Sequence, residues 1–141
     1  MIAAILDTNV IVQATISSRG ASSRTLDAAF EGQFQLVFSD ATLAELTQVL
    51  LLPNIQARHA WSESDVEDFV ALLAMDAAIY VSGTPVAPSL TRDVTDAKFL
   101  SLAAESGAAY LVTNDRRHLL HLRRHASTRI VTPTQFLAEL P

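Results

Sequence analysis

The chain has 141 residues, about one domain by length, with 15 Asp plus Glu against 10 Lys plus Arg, a net charge of −5, and a residue content 50% hydrophobic but only 18% charged. That composition excludes disorder, collagen-like repeats and coiled coils as descriptions of the whole chain. The absence of cysteine excludes disulfides, thiolate zinc sites and a cysteine nucleophile.

The first element is Ile2 to Leu6, a short apolar run ended by Asp7, as expected of a strand buried on both faces. No basic n-region or small-residue cleavage site follows Met1, and no apolar stretch approaches the roughly 20 residues of a membrane span. A soluble cytoplasmic protein with no membrane role is expected. Ser22 or Ser23 can cap a helix running to about Glu31. Gln35 to Phe38 reads as a second strand, and Ser39 caps a helix through about Leu51, stopped by Pro53. Ser62 with Asp65 three residues on resembles a capping box and opens a helix to about Met75. Ala78 to Val81 is a third strand, and the Pro-bearing Ser82 to Ser89 is a loop within one domain. Thr95 caps a helix that ends at Gly107, followed by strands at Ala109 to Val112 and Arg129 to Val131. Thr132 and Pro133 open a last short helix. Buried strands alternating with helices predict a three-layer α/β/α sandwich around a central parallel sheet of about five strands.

In such sheets, sites collect beyond the carboxyl ends of the strands. Asp7 follows the first strand and Asp115 the fourth, so two carboxylates are delivered to one edge. Each alone is an ordinary turn or capping residue. Asp96 adds weight: at 100° per residue, Phe99, Leu100 and Ala103 lie at about −60°, +40° and −20° from it. Its carboxylate therefore points into an apolar stripe, where a lone charge is costly. Capping of its own helix is the competing explanation. Glu45 lies at the border of the stripe formed by Leu43, Leu46, Val49 and Leu50, and Asp93 precedes Asp96 by one turn. Converging carboxylates repel unless a cation compensates. With no Cys, an all-oxygen cluster selects Mg²⁺ or Mn²⁺. Nine of the ten cations are Arg, and Arg116, Arg117, Arg123 and Arg124 fall within nine residues. The planar fork of Arg suits phosphate, although such a run is also a plain solvated helix face. His59, His118, His121 and His125 read as surface groups or phosphate contacts rather than metal ligands. Together these features suggest phosphoryl transfer on an anionic polymer.

The ordered set resembles the PIN-domain family, and within it the toxin components of bacterial toxin–antitoxin systems. The resemblance runs from Ile5-Leu6-Asp7-Thr8-Asn9-Val10, through Glu45, Leu52-Pro53-Asn54, Ser62-Glu63-Ser64-Asp65-Val66 and Arg92-Asp93-Val94-Thr95-Asp96-Ala97-Lys98. It continues through Val112-Thr113-Asn114-Asp115 to Ile130-Val131-Thr132-Pro133. It implies one PIN-like nuclease domain over residues 1–141 and a Mg²⁺- or Mn²⁺-dependent endoribonuclease acting on RNA. The family's acidic quartet falls on Asp7, Glu45, Asp96 and Asp115, with Asp93 as an accessory acid. Thr8, Asn9 and Thr113 would orient ligands and waters, and Arg116 and Arg117, with Arg19 and Arg24, would meet substrate phosphates. The subgroup's extra acids are replaced here by Thr95, Ala97 and Arg117, which implies that a second metal binds weakly or only with RNA present. The resemblance also implies an antitoxin that blocks the acidic edge, and a homodimer. The helices around Val49 to Leu52 and Trp61 to Leu73 carry surplus apolar residues for a partner, or else Trp61 and Phe69 complete the core. A haloacid-dehalogenase-type phosphatase would need a second acid where Asn9 stands. A receiver-type switch would need paired acids at the first strand and a late-strand lysine, whereas the sole lysine is Lys98. A non-catalytic module binding RNA or protein on the same fold is the remaining alternative.

Overall fold

A computed structural model describes residues 1–81 and 94–141; the Ser82 to Ser89 loop, Arg92 and Asp93 lie outside them. The strands are β1 (Ala3–Leu6), β2 (Gln35–Ser39), β3 (Ala78–Tyr80), β4 (Tyr110–Val112), β5 (Arg124–His125) and β6 (Thr128–Val131). They form one sheet in the order β3-β2-β1-β4-β6-β5. The first five in that order pair in parallel, and β5 joins β6 antiparallel. The helices are α1 (Thr8–Ile16), α2 (Ala21–Phe30), α3 (Asp40–Leu50), α4 (Pro53–His59), α5 (Glu63–Met75), α6 (Val94–Ser106) and α7 (Pro133–Glu139).

Side chains of successive strand residues point to opposite faces, and here both faces are buried. Leu6, Leu36, Phe38, Val112 and Val131 join Leu46, Leu50, Val66 and Phe136 in one core. Ile5, Val37, Leu111 and Ile130 join Phe99, Leu100, Ala103 and Leu119 in the other. The α/β/α expectation thus holds, with five parallel strands and β5 as an unforeseen sixth. Ser39 and Ser62 cap α3 and α5 through reciprocal bonds with Thr42 and Asp65, and Thr132 caps α7 with Gln135. Gly107 takes a φ of +65° after α6, the left-handed stop that favours glycine.

Some expectations need correction. The α2 N-cap is Gly20 rather than Ser22 or Ser23. Helix α6 is already formed at Val94, so Thr95 lies within it rather than before it. Ile79 is half-exposed because β3 is an edge strand, not one buried on both faces. Trp61 and Phe69 pack together at 5.0 Å between ring centroids, against the first core, so they complete it. Among the described residues no helix is long and apolar enough to cross a membrane.

Candidate active site

The chain leaves β1 for β2 on one side, whereas β4 pairs with β1 on the other. The crevice beyond the carboxyl ends of β1 and β4 is therefore the switch point where ligands enter open α/β sheets. Asp7 and Asp115 stand there. The Asp7 amide bonds the Val112 carbonyl at 2.9 Å, the last rung between β1 and β4. Thr113, fully buried, donates its hydroxyl to Asp7 Oδ2 at 2.7 Å and accepts the Asp115 amide at 2.9 Å. One side chain thus sets the spacing of two carboxylates from different strands.

Burial is the chief cause that pushes the Asp7 carboxyl up to about 6. The Thr113 hydrogen bond pulls it down, the Glu45 and Asp115 charges push it up, and the Asn9 backbone pulls it down again. Those charges act because Glu45 reaches the same pocket from α3. Thr8, the first residue of α1, donates to Glu45 Oε2 at 2.5 Å, and Lys98 Nζ of α6 lies 3.3 Å from Glu45 Oε1. From α6, Asp96 is only 6% exposed, its carboxylate drawn inward by the apolar stripe it shares with Phe99, Leu100 and Ala103.

His118 closes the arrangement. Its amide bonds Asp115 Oδ1 at 2.9 Å, and its Nδ1 lies 3.2 Å from Asp115 Oδ2 and 3.7 Å from Asp96 Oδ2. Asp96, Asp115 and His118 each offer a donor atom, all within 4.8 Å of one another. The set, two carboxylates with one imidazole, has the donor chemistry of a divalent-cation site. The surface role expected of His118 is therefore corrected: it stands with the acids. His59 is corrected too, being buried with Nε2 2.9 Å from the Leu50 carbonyl and Nδ1 accepting the Trp61 amide. The spacing Asp115-x-x-His118 was the signal available for His118. For Lys98, the signal was being the sole lysine two residues from Asp96.

The structure brings Asp7, Glu45, Asp96 and Asp115 to one edge, with Thr8 and Thr113 bonded to them. Asn9 is exposed at the start of α1. Arg116 and Arg117 are exposed beside Asp115, and Arg19 and Arg24 are exposed near the α1–α2 connection. Asp93 lies outside the described residues.

A parallel sheet with carboxylates gathered at its switch point defines an α/β protein built around an acidic edge. The family model described as PIN domain matches residues 3–117, and the chain belongs to that family. An uncharacterized protein of Methanocaldococcus jannaschii, MJ1680, is 26% identical over 143 residues, covering 96% of this chain and 89% of that protein. A chain in the crystal structure of VapBC2 from Rickettsia felis, bound to a DNA fragment from their promoter, superposes with a TM-score of 0.60. That match covers 92% of this chain and 97% of the other at 16% identity, and shows a shared fold.

Proposed function

We propose that this protein is a Mg²⁺- or Mn²⁺-dependent endoribonuclease, one PIN-like nuclease domain over residues 1–141. We read it as the toxin of a toxin–antitoxin pair working in the cytoplasm. The observation that carries the reading is the gathering of Asp7, Glu45, Asp96 and Asp115 at one edge, with Asp96, Asp115 and His118 in mutual reach. Asp7, Asp96 and Asp115, with Glu45 and the accessory Asp93, would hold the ion. When bound, such an ion supplies positive charge to the phosphate oxygens and acidifies a water for in-line attack.

The remaining roles belong to the chain itself. Thr113 fixes the distance between Asp7 and Asp115, and Thr8 fixes the Glu45 carboxylate. Asn9, exposed at the mouth, orients water. Arg116 and Arg117 meet phosphates of the RNA, with Arg19 and Arg24 as more distant contacts. For the antitoxin, support comes from the fold shared with a chain of the VapBC2 structure. For a homodimer, support comes from Leu52, just before α4, and Leu72 of α5, both exposed within the two stretches where surplus apolar residues were expected. A second reading, a non-catalytic RNA- or protein-binding module, draws on Lys98, which neutralises Glu45 without any metal.

One gel assay separates the two. Structured RNA is incubated with Mn²⁺, with and without EDTA, using wild type and Asp7→Asn. Cutting that needs Mn²⁺ and is lost in Asp7→Asn is the expected result. Uncut RNA that is still retarded overturns it in favour of the binding module.

A further inference from the structure

Beside the acidic edge, a groove of about 790 Å³ runs between α7, β6 and the segment leading into β5. Arg116, Arg123, Arg124 and Arg129 line it, against the single acid Glu139. The groove is therefore cationic in a chain whose net charge is −5. It starts at Arg116, next to Asp115, and at Thr132, where β6 reaches the same sheet edge, and it extends along β6 to Arg129.

The backbone builds this groove at a cost. Arg123 has a φ of +61°, a left-handed conformation unusual for a residue with a side chain. Its carbonyl accepts the Ile130 amide at 2.9 Å, which docks the segment on β6. In the β5–β6 ladder Arg124 is paired directly with Arg129. Residues so paired project to the same face, and like charges directly opposite are destabilising. Arg129 also pairs with Tyr110 on its other side, with its guanidinium 5.6 Å from the Tyr110 ring centroid, and lies 3.7 Å from Glu139. Two arginines held side by side, one aligned on an aromatic ring, form a preorganised receptor for a polyanion.

We infer that the α7–β6 groove holds the phosphate backbone of single-stranded RNA beside the acidic edge, through Arg123, Arg124 and Arg129 in continuation of Arg116. The inference rests on the ribonuclease reading, since it makes the groove the track on which that substrate lies. Glu139 then competes with the RNA for Arg129. Removing it strengthens binding, an effect that a purely structural role for the groove does not produce.

The test is fluorescence anisotropy of a fluorescein-labelled 12-nucleotide RNA of mixed sequence, in EDTA so that no cleavage intervenes. The proteins are wild type, Arg124→Glu, Glu139→Gln and, as an equal charge change at the exposed Arg58 of α4, Arg58→Glu. Four phosphate contacts give a slope of log K against log salt near −3, since each contributes about 0.7 for single strands. Arg124→Glu is expected to weaken binding about tenfold and flatten the slope by roughly one. Its melting temperature is expected to stay level or rise, because the like-charge pair with Arg129 becomes an opposite-charge one. Glu139→Gln is expected to tighten binding several-fold, and Arg58→Glu to change it less than twofold. Equal losses in Arg124→Glu and Arg58→Glu, or weaker binding by Glu139→Gln, overturn the inference. So does a groove-dependent affinity for a labelled oligoglutamate in place of the RNA, which would make an acidic protein segment the occupant. Groove-dependent binding without Mn²⁺-dependent cutting keeps the groove and removes the nuclease. Cutting with groove-independent binding does the reverse.

Discussion

Thr113 and Asp7 are 106 residues apart in sequence, yet the Thr113 hydroxyl lies 2.7 Å from Asp7 Oδ2 and simultaneously receives the Asp115 amide. The contact exists because β1 and β4 pair in parallel with Leu6 opposite Val112, so the next residue of each strand emerges at the same level. Thr113→Val keeps the shape and removes both bonds. We expect a loss of about 1–3 kcal/mol in urea unfolding, the cost of leaving buried polar groups unmatched. The Asp7 carboxyl should also titrate higher than its wild-type value near 6, since one of the contacts holding it down is gone. An NMR titration of the Asp7 carboxyl carbon that is superimposable on wild type would contradict this.

Asp7 sets a pH dependence of unusual sign. Its native pKa of about 6 lies above its ordinary 3.8, so the folded chain holds this proton more tightly than the unfolded one. Its contribution is fully favourable below pH 3.8 and is lost as pH rises through about 6. The difference converts to about 3 kcal/mol. In EDTA, Asp7→Asn should therefore match wild type near pH 4 and exceed it by up to about 3 kcal/mol at pH 7.5. Urea denaturation at a series of pH values reads this directly. Parallel stability curves for the two proteins would refute it.

The sequence made the architecture legible because its strands are buried on both faces. A run such as Ala4-Ile5-Leu6, ended at once by Asp7, fits a short strand covered on both sides, and its residues divide between the two cores. Asp96 was legible for the converse reason, a charge set in an apolar stripe. Helix α1 was not: Asp7 precedes it without a side-chain cap bond, and the apolar Val10, Ile11 and Val12 show no clean periodicity. Nor was β5, a two-residue strand entered from a positive-φ arginine and left through Ala126 at a φ of +52°. No local pattern announces such a turn. His118 escaped because its place depends on a tertiary contact with another helix rather than on a local pattern. The turn after Asp115 folds back so that the imidazole faces both Asp115 and Asp96, and Asp96 belongs to a different element.

His59 makes a separate prediction about stability. Its ring donates from Nε2 to the Leu50 carbonyl and accepts the Trp61 amide at Nδ1, which fixes one neutral tautomer and ties the end of α3 to the entry of α5. His59→Ala leaves a buried carbonyl and an amide without partners and opens a void beside Leu50. We expect a cost of about 2–4 kcal/mol by urea unfolding. The Mn²⁺-induced rise in melting temperature should be unaffected, because the ring serves packing and not the acidic edge. A cost below about 0.5 kcal/mol, the range of ordinary surface changes, would show that the contacts are dispensable.

The acidic edge itself predicts how stability responds to metal. An ion that binds only the folded chain adds about 2.7 kcal/mol when present at a hundred times its Kd. For a domain of this size that amounts to a rise of roughly 8 °C in melting temperature. Asp96→Asn should abolish the rise, because Asp96 shares donor distance with Asp115 and His118. Lys98 should act in the opposite sense. Its ammonium, 3.3 Å from Glu45, is a cation already placed among the acids, and a divalent ion must work against it. Lys98→Ala should therefore reach half-maximal stabilisation at a lower Mn²⁺ concentration than wild type, by a few-fold rather than by orders of magnitude, since the pair is partly open to water. A Mn²⁺ titration followed by differential scanning fluorimetry measures both variants. If Asp96→Asn kept the full rise, the ion would not be held by the carboxylates of this edge. If Lys98→Ala needed more Mn²⁺ than wild type, Lys98 would be organising Glu45 for the metal instead of competing with it.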